Sequence, residues 1–315
     1  MRKCFFTLII FSSSIICSAQ QSFKVIPLGI YGGGEESNLS SYMAAPANSE
    51  NYVNFDAGTL RSGIEKAIKK GNFKGKSALQ VIQENIKGYL ISHAHLDHAS
   101  GLILNSPDDT KKSIYALPSV AEILTDKYFS WKSWANFTDS GEVPHLNKYS
   151  IINLDAGKEI PMPNTDMYVT AFPLSHVKPY ESTAFLVRHN SDYLLYLGDT
   201  GSDSIEQSNM LQNLWKQIAP YVNNQQLKGI LIEVSFPNEQ PDKSLFGHLT
   251  PKLLQSELNI LNSYCQPEKL QQVPIIITHL KPVDNNIERI KKQLKEQNTL
   301  GVKYIFPVQG KKIDL

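Results

Sequence analysis

Too few cysteines are present for a disulfide framework. The 315 residues include three, and two of them, Cys4 and Cys17, lie in an N-terminal stretch that reads as a leader. Cys265 is then left without a partner, so the chain has to rely on its core rather than on cross-links. It sits between Tyr264 and Gln266 with no partner motif and reads as a packing residue. An excess of one charge is also missing. Lys and Arg number 31 against 30 Asp and Glu, a net charge of +1. That gives no electrostatic case for nucleic acid or for an acidic surface as a partner. After the leader, no apolar run is long enough to cross a bilayer. Repeats and low-complexity linkers are lacking too, and residues 20–315 read as one domain.

The leader is expected to be a secretory signal peptide over residues 1–19. Arg2 and Lys3 give a positive start, Cys4 to Cys17 is mostly apolar, and Cys17-Ser18-Ala19 resembles a small-x-small cleavage site. Bulky Ile16 argues against lipidation of Cys17. The expected location is periplasmic or secreted, with no membrane attachment after cleavage.

Histidine is scarce as well, with eight in the chain, yet three fall within six positions in His93-Ala94-His95-Leu96-Asp97-His98. Tyr89-Leu90-Ile91 before them reads as the end of a buried strand. Side chains alternate in extended chain, so His93 and His95 point the same way and can share an ion. Asp97 and His98 follow a turn and can face a second ion. Imidazole and carboxylate suit zinc first, and also manganese or iron.

Further candidates lie where strands run out into loops. Met167 to Phe172 leads to His176, Tyr193 to Leu197 leads to Asp199, Leu227 to Val234 carries Glu233, and Pro274 to Thr278 ends at His279. A natural partition gives His93, His95 and His176 to one ion and Asp97, His98 and His279 to the other, with Asp199 bridging. Two divalent ions need about this many ligands plus an open position. His248 is placed on a loop before a helix that Thr250 caps and Pro251 opens. His145 and His189 lie in polar loops and read as surface residues.

Several features keep two readings open. Gly32-Gly33-Gly34 reads as a tight turn rather than a phosphate cradle, because no Lys-Ser/Thr follows. Asp56 is either a group that orients a ligating histidine or a simple turn residue. Tyr128, Phe129, Trp131, Trp134 and Phe137 read as core or packed loop, with stacking on a flat ligand as the alternative. Asn136-Phe137-Thr138 matches a glycosylation acceptor pattern. Ser77 and Gln80 form a capping-box pattern, and Leu102-Ile103-Leu104 is expected to be the apolar face of the element that the histidine motif starts.

The H-x-H-x-D-H motif at 93–98, followed by His176, Asp199 and His279, resembles the metallo-β-lactamase superfamily. Asp at the bridging position is similar to its glyoxalase, lactonase and phosphodiesterase branches. Leu28-Gly29, Ser40-Ser41-Tyr42, Asp56-Ala57-Gly58-Thr59, Glu233-Val234-Ser235-Phe236-Pro237, Leu245-Phe246-Gly247-His248-Leu249-Thr250-Pro251 and His279-Leu280-Lys281-Pro282 resemble the class II 3′,5′-cyclic-nucleotide phosphodiesterases. The resemblance implies an α/β fold, an αββα sandwich with a two-metal site at one edge. It also implies hydrolysis of cAMP or cGMP to the nucleoside 5′-monophosphate by metal-hydroxide attack on phosphorus. Asp97 or Asp199 then holds the hydroxide's proton. His248 contacts the phosphate or protonates the leaving oxygen, and Glu233 orients it. The expected partner is a small-molecule cyclic nucleotide, not nucleic acid, and a homodimer is left open. The rival readings are another phosphodiester, a lactone or a thioester as substrate, or a metal-holding protein without catalysis.

Overall fold

The computed structural model describes residues 21–315, so the leader at 1–19, with Cys4 and Cys17, lies outside the described residues. In chain order the strands are β1 (Phe23–Gly29), β2 (Ser41–Pro46), β3 (Tyr52–Phe55), β4 (Ile86–Leu90), β5 (Lys112–Ala116), β6 (Tyr149–Asn153), β7 (Ile160–Met162), β8 (Met167–Ser175), β9 (Glu181–His189), β10 (Asp192–Leu197), β11 (Leu227–Glu233), β12 (Ile275–Thr278), β13 (Tyr304–Ile305) and β14 (Ile313–Asp314). The helices are α1 (Arg61–Lys69), α2 (Ala78–Glu84), α3 (Leu96–Asn105), α4 (Pro118–Ile123), α5 (Asp203–Glu206), α6 (Met210–Asn223), α7 (Pro251–Ser263) and α8 (Asn286–Glu296).

The strands form two mixed sheets, ordered β14-β1-β2-β3-β4-β5-β6 and β13-β12-β11-β10-β9-β8-β7. β3 to β6 run parallel in the first, and β10 to β13 run parallel in the second. Alternation within the second sheet shows how the layers are made. Leu194 and Tyr196 join the core shared with the first sheet, whereas Leu195 and Leu197 join a separate core with α6, α7 and α8. Leu231 and Ile276 face the first core, and Ile230, Ile232, Ile275 and Ile277 the second. Period-two alternation with both faces apolar is what a sheet covered on both sides requires. Ile64, Val81, Leu102 and Val120 bring α1 to α4 onto the first core. The result is the expected αββα sandwich.

Local chemistry sets the helix ends as expected. Ser77 and Gln80 form a reciprocal capping box on α2, and the Thr250 hydroxyl accepts from the Leu253 amide at the start of α7. One expectation fails on geometry. Leu102 and Ile103 are buried, but Leu104 is 64% exposed, because a helix turns about 100° per residue and three consecutive side chains cannot share one face. The acceptor pattern at Asn136 is closed off. Asn136 is fully buried, donates to the Ser140 and Glu142 carbonyls, and accepts from the Thr138 amide and hydroxyl. Among the described residues no helix is long and apolar enough to cross a membrane.

The parallel strands decide where chemistry can occur. β3, β4, β10, β11 and β12 deliver Asp56, His93, Asp199, Glu233 and His279 at or just past their carboxyl ends. Crevices outside the carboxyl ends of parallel strands are where open α/β sheets bind ligands.

Candidate metal centre

Seven side chains expected as ligands come together. His95 is the residue before α3, so Asp97 and His98 lie in the first turn of the helix that the motif starts. There the Asp97 carboxylate also suits the positive end of the helix dipole. Potential ligand atoms of His93, His95 and His176 lie within 4.8 Å of one another, as do those of Asp97, His98 and His279, and those of His93, His98 and Asp199. Asp199 is central. Its Oδ2 lies 3.7 Å from His93 Nε2, 3.3 Å from His98 Nε2, 3.9 Å from His176 Nε2 and 3.2 Å from His279 Nε2. These groupings match the partition that the strand ends suggest.

The hydrogen bonds behind the rings say which nitrogen is free. Asp56 Oδ2 takes the His98 Nδ1 proton at 2.7 Å, and the Gly247 carbonyl takes that of His176 at 2.9 Å. The Ser92 hydroxyl donates to Asp56 at 2.7 Å, so its oxygen is left to accept from His93 Nδ1 at 3.0 Å. Ser235 does the same opposite: its hydroxyl donates to Glu233 at 2.7 Å and accepts from His279 Nδ1 at 2.9 Å. Four imidazoles are thereby fixed with Nδ1 protonated and the Nε2 lone pair aimed at one centre. His98 Nε2 is buried with no hydrogen-bond partner. His95 contributes from the other side, with Nδ1 3.0 Å from His93 Nε2 and 3.4 Å from His176 Nε2.

Electrostatics divide the rings. Burial, with His98 as the next cause, holds His93 well below the usual imidazole range. Burial also lowers His95 and brings His176 down to about 4. These rings stay neutral, as metal ligands must. For His98 burial opposes charge, but Asp199, Asp56 and Asp97 together outweigh it and raise its pKa. For Asp199 burial favours the neutral acid, but His279 and His98 win, so the carboxylate stays ionised. Carboxylates and inward lone pairs around one point fit a divalent cation, and the residues present match the demand.

Asp56 resolves toward the orienting role. Besides His98, it accepts from the Ser92 amide at 2.7 Å and from the Tyr196 hydroxyl at 2.5 Å, and its φ of 51° is a left-handed conformation rare for such a residue. Replacing Asp56 with Asn puts amide protons among these donors and releases His98. Metal affinity is then expected to fall about 10–100-fold. Competition with a chromophoric chelator measures it, and unchanged affinity would show that Asp56 does not govern the centre.

Glu233 and His248 form a second layer beside the ligands. Glu233 is fully buried and accepts from four donors: His248 Nδ1 at 2.7 Å, Ser235 Oγ at 2.7 Å, and the Thr200 and Leu249 amides at 3.2 and 3.3 Å. Its two oxygens are thus engaged by protein donors. His248 Nδ1 lies 3.8 Å from Asp199, but its proton is committed to Glu233. The Nε2 atom lies 3.1 Å from Lys281 Nζ, and His248 also shares clusters of potential ligand atoms with His176 and Asp199 and with Glu233 and His279, each within 4.8 Å.

Sequence reasoning gave no role at the site to Ser92, Ser235, Tyr196 or Lys281, and read Gly32 only as part of a turn. The first two sit next to or between residues already singled out, which was the available signal. Tyr196 reaches Asp56 from another sheet and had none. Gly32 is required by contact: a Cβ there would lie 1.9 Å from the His279 ring. The glycine run is a turn, as expected, and the Gly33 amide donates to Asp97 Oδ2 at 2.9 Å. Of the aromatic stretch, Tyr128 reaches the histidine motif, donating to the Ala94 carbonyl at 2.8 Å. Phe129 is core, Trp131 and Trp134 bond to the Pro144 carbonyl and Ser106, and Phe137 lies under Lys148. His145 and His189 remain outside the centre, bonded to the Gly141 and Asp166 carbonyls.

Comparison with known proteins places this geometry. Residues 22–310 match the family described as cAMP phosphodiesterases class-II. A 3′,5′-cyclic-nucleotide phosphodiesterase of Aliivibrio fischeri is 42% identical over 308 residues, which cover 93% of both chains. A probable 3′,5′-cyclic-nucleotide phosphodiesterase of Yersinia pestis is 37% identical, over 96% of this chain and 92% of its own. Among solved structures, unliganded yeast PDE1 superposes with a TM-score of 0.82 at 24% identity, covering 94% of this chain and 100% of its own. The metallo-β-lactamase fold protein YhfI from Bacillus subtilis has a TM-score of 0.63 at 15% identity, with 94% and 100% covered.

Proposed function

The chain belongs to the class II cyclic-nucleotide phosphodiesterases and has the metallo-β-lactamase fold, and from that premise we propose that it is an exported enzyme that hydrolyses cAMP, cGMP or both to 5′-monophosphates at a centre of two divalent ions. The observation that carries the reading is the convergence of four Nε2 lone pairs and one buried carboxylate on a single point. His93, His95 and His176 would hold one ion, Asp97, His98 and His279 the other, and Asp199 both. Zinc is the first candidate, with manganese or iron also suited to this donor set. Divalent ions there supply charge to polarise a phosphodiester and bring the pKa of water to about 7.

The chain's own residues do the rest. Asp97 or Asp199 holds the proton of the attacking water. His248 gives a proton from Nε2 to the departing 3′ oxygen. For its pKa, burial opposes charge, but Glu233 and Asp199 prevail and raise it. That favours a proton available to donate. Lys281, next to His248 Nε2 and 4.7 Å from the Phe236 ring centre, adds positive charge where an anionic substrate arrives.

Export rests on the charged and apolar leader over residues 1–19. Burial raises the thiol of Cys265, the free cysteine among the described residues, to about 11, which makes it unreactive. The expected location is periplasmic or secreted. A substrate panel on the purified mature protein tests the activity: cAMP, cGMP, a generic phosphodiester, a lactone and a thioester. Cyclic nucleotides are expected to be cleaved far faster than the lactone and thioester, and the reverse ranking would move the chain to another branch.

A further inference from the structure

We propose that the cavity at the amino end of β3, opposite the metal centre, is a binding site for a free oligophosphate anion, a small compound that carries several linked phosphates. The site is separate from the phosphodiesterase reading and does not depend on it.

Net charge hides how the charge is distributed. Without Arg2 and Lys3 of the leader, the 31 basic residues become 29, against 30 acidic ones. Yet a cavity of about 670 Å³ gathers Lys24, Lys70, Lys74, Lys76, Lys311 and Lys312 in its wall, with Glu50 as the one acid among the described residues. That size falls within the range of small-ligand sites. Tyr52 opens β3 and Asn85 precedes β4, and both line the cavity. Asp56, about 13 Å further along the chain at the rise of a strand, holds His98 at the metal centre. None of the candidate metal ligands lines this cavity.

The floor of the cavity is fixed and its rim is uncompensated. Lys24 and Asn85 are more than nine-tenths buried. Lys24 Nζ bonds to Glu50 at 2.5 Å and lies 5.2 Å from the centre of the Tyr52 ring. Lys76 Nζ bonds to Glu84 at 2.9 Å and to Asn85 Oδ1 at 2.8 Å, and Lys312 Nζ bonds to Asp314 at 2.9 Å. Lys70, Lys74 and Lys311 are exposed and take part in no ion pair among the described residues. The segments that carry them are tied together all the same. Asn72 Nδ2 donates to the Ala67 carbonyl at 3.2 Å and to the Gly310 carbonyl at 3.0 Å. A Cβ at Gly310 would lie 2.6 Å from the Ala67 amide nitrogen, so the chain before Lys311 packs directly on α1. Backbone contacts thus hold three unpaired ammonium groups around one hollow. Like charges held together destabilise the compact state, and a bound polyanion relieves that repulsion. Lysine is a flexible point charge suited to phosphate oxygens. Several phosphates are needed to meet several charges, and a singly charged cyclic nucleotide would leave most of them unmet. The hollow is concave whereas a bilayer presents a plane, which favours a free ligand over a lipid headgroup.

The test is calorimetric titration of the metal-loaded enzyme with inorganic triphosphate. Excess magnesium is present so that the probe does not strip the centre, and bound metal is assayed afterwards. The unaltered enzyme is expected to bind triphosphate, and the triple variant Lys70→Gln, Lys74→Gln, Lys311→Gln to bind it about tenfold or more weakly, as three ion pairs are lost together. Arginine at the same three positions keeps the charge and should keep the binding. Added sodium chloride should weaken it in the unaltered enzyme. Hydrolysis of cAMP should be the same in the glutamine variant and its parent, which also shows that the variant is folded. Vesicles of phosphatidylglycerol and phosphatidylcholine, followed by sedimentation, test the other source of phosphate, and no binding that depends on the three lysines is expected. Triphosphate affinity unchanged in the glutamine variant would overturn the site. Lysine-dependent binding to the vesicles without binding to triphosphate would overturn the free ligand.

Discussion

Asp199→Asn is expected to strip the centre of most of its metal and to lower kcat/KM for cyclic nucleotide by about 10³-fold or more, since a preorganised charge at the reacting atoms is removed. The size of the effect follows from position. Asp199 Oδ2 has five imidazole nitrogens within 3.9 Å, counting His248 Nδ1 at 3.8 Å. A carboxylate offers each of two ions an oxygen and a negative charge. The amide offers one neutral oxygen and turns two N–H donors on lone pairs that are already aimed inward. The replacement is nearly isosteric, so the fold should survive, and the metal-free variant should unfold within a few degrees of the metal-free parent. Elemental analysis and steady-state kinetics check the prediction together. Two retained equivalents of metal with activity within tenfold of the parent would remove Asp199 from the centre.

His248→Ala is expected to lower kcat by about 10²–10⁴-fold, the usual contribution of a positioned proton donor, while the metal content stays the same. Geometry separates the two readouts. The His248 nitrogen nearer Asp199 carries the proton held by Glu233, so a metal would lose no lone pair with the ring. The variant also leaves buried Glu233 with three donors instead of four. A stability loss of about 1–3 kcal/mol is expected from that unmet acceptor. Metal loss in His248→Ala would make His248 a ligand, and unchanged kcat would leave it without a chemical role.

The ligand set was legible because each member follows an apolar strand whose alternation is visible locally. β4, β10 and β12 end at or just before His93, Asp199 and His279, and the scarcity of histidine made the cluster stand out. Asp56 stayed ambiguous in sequence because its partners are distant: Ser92 is 36 positions away, His98 42 and Tyr196 140. Nothing local distinguishes a carboxylate that collects four long-range donors from one that ends a turn. Leu104 failed because a run of apolar residues says nothing of phase within a helix. The aromatic stretch is core and packed loop, as its composition suggested, but proximity in sequence did not imply a common destination. Phe129 enters the core, Trp131 and Trp134 bond to Pro144 and Ser106, and Tyr128 alone of the five touches the histidine motif. Glu233 was found as a partner of His248, but its four donors depend on loops that the sequence does not align.

Metal titration tests the central claim most directly. Protein freed of metal by a chelator is titrated with zinc, and in parallel with manganese, while cAMP hydrolysis and bound metal are followed in the same samples. A two-ion centre requires activity to be absent at the start, to rise with metal content and to saturate near two equivalents per chain. Full hydrolysis by the metal-free protein, or saturation with no metal bound at His93 to His98, would contradict it.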